Sequence, residues 1–416
     1  MITFLEKYGF SLVLLYCLGA LSPNLQGQVS LMDYDVASLQ DSRGGSNLVK
    51  QVFWLFLFFF FNVRLIKSDI LNIAKNEMGN VYIFCSILFL IVALSFFWSE
   101  GASYTLKRVI FQMIFMLTVC LSVAYAIVNR TLVENLKATI YVVLTLLFVT
   151  MLTGTGFASD FSFAGYTTNK NLLGINLLCL IVILCSVCRF ENVEIHRFKL
   201  VLMMLCFFLL ITKSKTCIAL LVFYLFLFTL AKSKAGVITL MIYICALLVF
   251  VISPTVSYLL GEYWNISLHM HDESITGRGI IWDNLYHDVE YFDRILIGYG
   301  YGAYFSTSII PHFFDVENSF LQLITSAHNG YLELILQVGT IGTMLIAIVA
   351  YMVMSSASNY YISAAMIIPI IHNITESSFF RDQNIVWVMF MALVTVTFFI
   401  KESKLKGSFN ESSNHP

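Results

Sequence analysis

The stretch LVKQVFWLFLFFFFNVRLI (48–66) decides the fold class. Leu55 to Phe61 is an unbroken apolar run, whereas a strand of a transmembrane barrel shows segments of about ten residues that alternate apolar with polar. A bilayer core about 30 Å thick is crossed by roughly 20 apolar residues in a helix, and this stretch has that length. Similar runs recur near 8–23, 80–98, 104–128, 134–153, 171–188, 198–212, 215–231, 236–258, 330–353, 359–376 and 384–400. The reading is an all-α polytopic membrane protein of about twelve transmembrane helices.

The composition of the 416 residues agrees. Hydrophobic residues make up 59% and charged residues 12%, against roughly 45–50% and about 25% in soluble domains. With a mean hydropathy of +0.82, a water-soluble globule would leave large apolar patches in solvent, so a soluble enzyme is excluded. Intrinsic disorder is excluded too, because it needs low hydrophobicity and high net charge. A net charge of −1 gives no reason to expect nucleic acid as a partner. The first run resembles a signal peptide, with Lys7 before a short apolar stretch, but Pro23 directly follows the small residues at which cleavage would occur. It is read as a span.

With an even number of spans and a cytoplasmic N-terminus, fourteen of the 24 Lys and Arg residues fall on the inner side, among them Lys7, Arg64, Arg130, Arg189 and Lys401. Positive-inside counting therefore favours both termini in the cytoplasm and the long loop outside. Three units result: nine spans in 1–258, an extracytoplasmic loop at 259–328, and three spans with a short tail in 329–416. The cations assigned to the outer side are grouped. Lys107 and Arg108 open the fourth span, Lys170 the sixth, and Lys213 with Lys215 the eighth. Each also reads as a snorkelling helix-end anchor. Because several converge against the positive-inside trend, and helix N-termini add positive potential, they also describe an outward-facing anion site. The nine cysteines all lie in or beside apolar spans, which suits packing rather than disulfides or metal.

The loop is too aromatic for disorder. Ile281, Leu285 and Val289 with Trp282, Tyr286 and Tyr291 recur at helical spacing opposite Asp283, Asp288 and Glu290, which predicts an amphipathic helix along the outer interface. Directly after it, Gly298, Gly300 and Gly302 alternate with Tyr299 and Tyr301. No strand precedes this turn, so it is not a nucleotide motif. A tight turn carrying aromatic rings suits stacking on sugar faces, or is simply an irregular aromatic turn. His328 closes the loop just before the tenth span, with Asn329 and Gly330 supplying cap and turn chemistry. An imidazole at a helix start titrates near neutral pH and can meet an anion, or simply close the helix end with hydrogen bonds. His269 and His271 lack the company of a metal site, and no metal or cofactor is expected.

Seven segments together resemble one superfamily: LSFFWSEGASYTLKR (94–108), FAGYTTNKNLLG (163–174), TKSKTCIAL (212–220), TGRGIIWDN (276–284), GYGYGAYF (298–305), AHNGYLELILQVGTIG (327–342) and HNITESSFF (372–380). Their order and the place of the long loop are similar to bacterial O-antigen ligases, Wzy-type O-antigen polymerases and ExoQ-like exopolysaccharide polymerases. The resemblance implies a GT-C-like helical fold and glycosyl transfer from an undecaprenyl-diphosphate-linked oligosaccharide outside the cytoplasm. It also implies membrane lipids, a chain-length regulator and a flippase as partners.

The family's functional basic positions correspond to Lys215, Arg278 and His328. The Ser214-Lys215-Thr216 form is closer to the exopolysaccharide polymerases, since many ligases have Arg at that place and a planar fork binds phosphate differently from a point charge. Lys215 and Arg278 are expected to hold the departing diphosphate, and His328 to act as base or diphosphate ligand. Lys170, Lys213, Asn329, Tyr299, Tyr301, Trp282 and Glu376 are expected to line the substrates, with Glu333 as a further carboxylate. The expected activity is a polymerase. A ligase delivering the glycan to lipid A–core is the alternative within the superfamily, and a lipid-linked glycan flippase the alternative of another class.

Overall fold

In the computed structural model the described residues are 2–25, 48–67, 74–230, 278–305, 326–357 and 359–412. They form α1 (Ile2–Cys17), α2 (Leu48–Lys67), α3 (Lys75–Leu94), α4 (Ala102–Val128), α5 (Leu132–Leu152), α6 (Lys170–Phe190), α7 (Lys199–Ile211), α8 (Lys215–Leu230), α9 (Arg278–Tyr291), α10 (Gly330–Ser356), α11 (Tyr360–Thr375) and α12 (Ile385–Ser412). Eleven of the twelve apolar runs fall on these helices, and the twelfth, 236–258, lies outside the described residues. Among the described residues six helices are long and apolar enough to cross a membrane, namely α2, α3 with its 3-10 extension to Trp98, α4, α5, α6 and α10. The apolar segments Lys215–Thr229, Tyr360–Thr375 and Ile385–Phe399 are shorter.

Burial separates central helices from peripheral ones. Apolar side chains on every face of a helix mean that it is surrounded by others. This holds for α6, buried from Leu173 through Cys188, for the lower half of α4, and for the stretch Ile385–Val396 of α12. α12 packs on both α4 and α6. Around α4 stand α1, α2 and α3, and around α6 stand α5, α7, α8 and α11. α2 and α3 instead expose Phe56, Phe59, Ile83 and Leu90 outward, where lipid tails are the matching solvent.

Ion pairs and ring contacts sort the helix ends onto two faces. At one end lie Lys7 with Glu134 (2.9 Å), Glu6 with Arg64, Lys137 over the Phe198 ring, and Arg189 against the rings of Phe228 and Tyr361. At the other lie Lys50 with Asp382, Lys170 with Asp160, Arg294 with Glu100, and the pairs His328–Glu376 and Arg381–Glu333. Each pair joins segments that an alternating helix path puts on the same side.

One membrane helix is broken. At Gly339 in α10 the backbone takes φ 70° and ψ 178°, and the segment before the GYGYG turn lies in the gap. Tyr299 and Gly300 donate their N–H groups to the carbonyls of Leu336 and Gln337 (2.8 and 3.0 Å). Thr340 donates to the Ile295 carbonyl (2.8 Å). Non-helical backbone is tolerated at a membrane protein's core only where protein satisfies its polar groups, and here segment 295–300 does so.

Candidate functional site

The rim of the second face is built around the start of α10. Asn329 is extended, and its side-chain oxygen accepts from Tyr331 and Leu332 N–H (3.0 and 3.1 Å), the cap that the sequence suggests. The residue before it, His328, has φ 50°. A side chain other than glycine persists in this left-handed region only when its surroundings over-determine it. They do here: Ala327 donates its N–H to Glu333 (3.2 Å), and its carbonyl accepts from the Trp282 indole of α9 (2.9 Å). The imidazole is thereby aimed outward, with its side chain 42% exposed, and Nδ1 lies 3.3 Å from the Glu376 carboxylate.

Glu376 is delivered by a turn that folds on its own side chains. α11 ends there because Glu376 is extended. The Asn373 side-chain oxygen then accepts from Ser378 and Phe379 N–H (3.0 and 2.9 Å), and His372 Nδ1 lies 2.9 Å from Ser378 Oγ. Asn373 also presses against Gly330, where any Cβ would collide with its amide. Five residues beyond Glu376, Arg381 Nε lies 3.3 Å from Glu333 in the first turn of α10. Two carboxylate pairs thus clamp segment 376–381 across the helix start. Sequence reasoning did not single out Arg381 or Asn373. Their signal was the polar insertion HNITESSFFRDQN between two apolar runs.

Lys215 begins α8 and is exposed. α8 packs on α11, the helix that ends at Glu376, so Lys215 and Glu376 belong to neighbouring helices. Arg278 is the first residue of α9, whose Trp282 anchors Ala327. Lys170 and Lys213 occupy the same face but are engaged with one partner. Lys170 Nζ lies 2.6 Å from the Asp160 carboxylate, and Lys213 Nζ donates to the Asp160 carbonyl (3.1 Å). Hydrogen bonds from Lys170, then from the Ser162 side chain and backbone, hold the Asp160 carboxyl well below the usual carboxylate range. The two lysines therefore close the connection between α5 and α6.

The aromatic turn is placed differently from the expectation. Tyr299 and Tyr301 are 1% and 4% exposed, so their rings are core side chains and cannot stack on an incoming sugar. Asp288, expected on the polar face of α9, is also buried, and it accepts from the hydroxyls of Tyr299 (3.0 Å) and Tyr304 (2.7 Å). Burial, reinforced by that carboxylate, keeps both phenols far above their ordinary pKa. Tyr301 donates to the Phe380 carbonyl (2.6 Å). The glycines let neighbours come close: a Cβ on Gly298 would lie 2.7 Å from the backbone at Gln337, and one on Gly302 would run into the Arg108 side chain. Trp282 is likewise buried and structural. Among the described residues no His, Cys, Asp and Glu group could hold a metal ion.

The arrangement offers an exposed imidazole backed by a carboxylate, with cations at neighbouring helix starts. Residues 200–347 match the family model described as O-Antigen ligase. This stretch carries an O-antigen ligase family domain. It runs from α7 to beyond the break in α10, and so contains Lys215, Arg278, His328 and Glu333. The match supports the O-antigen ligase and polymerase superfamily, a group of membrane glycosyltransferases acting on lipid-linked oligosaccharides. No curated protein matches the chain.

Proposed function

We propose that this protein is a polysaccharide polymerase, transferring glycan from an undecaprenyl-diphosphate donor to a lipid-linked acceptor repeat on the extracytoplasmic side of a bacterial inner membrane. The observation that carries this reading is the family match across the segment holding Lys215, Arg278 and His328. The Lys form of the 214–216 motif favours polymerase over ligase.

An acceptor hydroxyl loses its proton to His328 as its oxygen bonds to the anomeric carbon of the donor. The bond from that carbon to phosphate breaks, and its electron pair leaves on the diphosphate. The carboxylate of Glu376 on Nδ1 favours the tautomer whose Nε2 accepts a proton, which suits a general base. Lys215 and Arg278 offset the charge that grows on the leaving diphosphate, and stabilising it more in the transition state than in the ground state lowers the barrier. With Lys170 and Lys213 engaged by Asp160, Lys215 is the principal lysine for this task.

The test is the glycan profile of membranes carrying Lys215→Ala, Arg278→Ala or His328→Ala, resolved by chain length at equal protein levels. Each variant is expected to leave single lipid-linked repeats. Full-length polymer from all three would remove these residues from the mechanism. The description of the matching model favours a second reading, a ligase, and the same profile separates the two, because loss of a ligase leaves long lipid-linked chains.

A further inference from the structure

The reaction proposed above joins two substrates that each carry a lipid diphosphate, and the cations assigned to it serve only the donor. The structure places two further cations, both guanidinium groups, near the GYGYG turn and the α10 start. Arg108 lies in the second turn of α4, and its aliphatic stem runs directly over Gly302, where a Cβ would strike its Cδ. The side chain is exposed and makes no ion pair among the described residues. The neighbouring Tyr301 bonds to the carbonyl of Phe380, the residue before Arg381. Arg381 in turn pairs with Glu333 and remains 38% exposed. Arg108 thus lies against residue 302, Arg381 directly follows the residue that holds the Tyr301 hydroxyl, and Glu333 connects this locus to the His328 backbone through Ala327.

The two cationic loci are separated by the architecture. α4 packs chiefly on α1, α2, α3 and α12, with a smaller contact to α5, whereas α8, which begins with Lys215, packs on α6, α7 and α11. Segment 376–384 follows α11, which packs on α8, and Phe380 and Arg381 within it meet Tyr301 and Glu333. Two diphosphates bound at one cation cluster would repel each other, so a bridge with an imidazole between two clusters is what a two-lipid reaction needs. Guanidinium forks also match phosphate oxygens in pairs.

We infer that Arg108 and Arg381 form a second phosphate-binding subsite beside the GYGYG turn, which holds the diphosphate of the acceptor lipid while Lys215 and Arg278 hold that of the donor. This rests on the glycosyl-transfer reading. The shared chemistry is a lipid-borne phosphate, and bulk phospholipid is the other source of it.

The experiment measures equilibrium binding of farnesyl diphosphate to the full-length protein in phosphatidylcholine nanodiscs. The wild type is expected to bind two molecules per chain. Arg108→Gln, an exposed change, should weaken one class roughly tenfold or more and leave the other unchanged, with Arg381→Lys weakening the same class. Lys215→Ala should weaken the remaining class. An Arg108→Gln titration identical to the wild type overturns the subsite. Indifference to Lys215→Ala, with Arg108→Gln still effective, would instead count against the donor assignment. Repetition in phosphatidylglycerol nanodiscs separates the sources: if that lipid abolishes the Arg108-dependent class, the subsite takes bulk lipid phosphate and the acceptor assignment fails.

Discussion

At the scale of single residues, charge is decided by the partner more than by the position. Lys170 and Lys215 open helices and Lys213 lies in the turn before α8, yet the Asp160 connection engages Lys170 and Lys213 and leaves Lys215 exposed. The Asp160 carboxyl is held below its ordinary value, so its pairing contributes fully above the ordinary carboxylate pKa near ~4 and is lost only as pH falls towards the lowered folded value. Asp160→Asn should therefore lower the melting temperature by an amount that stays constant between about pH 6 and pH 8, and the difference should shrink only below roughly pH 4. Melting curves in detergent across that range check this. A difference that changes near neutrality would mean that another group governs the connection. The engagement was not legible in the sequence, because Asp160 lies 10 and 53 positions from its partners.

At the scale of elements, α10 is the instructive case. AHNGYLELILQVGTIG reads as a helix with an Asn cap, and that much holds. The break at Gly339 was not legible, since an isolated glycine in an apolar run usually signals only a small packing residue. What breaks the helix is the 295–300 segment, which supplies hydrogen bonds in place of those the helix gives up. Gly339→Ala adds a Cβ against the Leu296 carbonyl at a positive φ. It should cost roughly 1–3 kcal/mol and expose the 292–300 segment to protease. Gly79→Ala in α3, where nothing lies within 4 Å of the added Cβ, should be neutral or stabilising by about 0.5–1 kcal/mol. Thermal melts and limited proteolysis of both variants check the contrast. Equal behaviour would show that the stitched break bears no load. The same packing explains the tyrosines. Alternation with glycine suggested a tight turn whose rings stack on sugars, whereas the glycines thin the turn so that it can be buried.

For the whole molecule, the consequence is a two-faced bundle in which the polar pairs of one face share no partner with those of the other among the described residues. With the nine native cysteines replaced, Ser103→Cys should react with an impermeant maleimide in intact spheroplasts, and Glu194→Cys only after permeabilisation. Labelling of both from one side would break the alternation on which the site depends. This expectation comes largely from the chain itself, since helix count and positive-inside bias set which loops share a side.

What the amino-acid sequence determined alone was the solvent of each segment. Unbroken apolar runs can lower their free energy only as helices in lipid or within other helices, which makes the membrane bundle, its element limits and the cap at Asn329 readable without coordinates. Tertiary structure decided which polar groups meet. The clamp of Glu376 and Arg381 across the α10 start, the engagement of Lys170 and Lys213 by Asp160, and the burial of Tyr299, Tyr301 and Asp288 all join residues distant in the chain. Hydropathy reports the cost of leaving water, a local property. A hydrogen bond or ion pair depends on where the second group lies, and only packing places it.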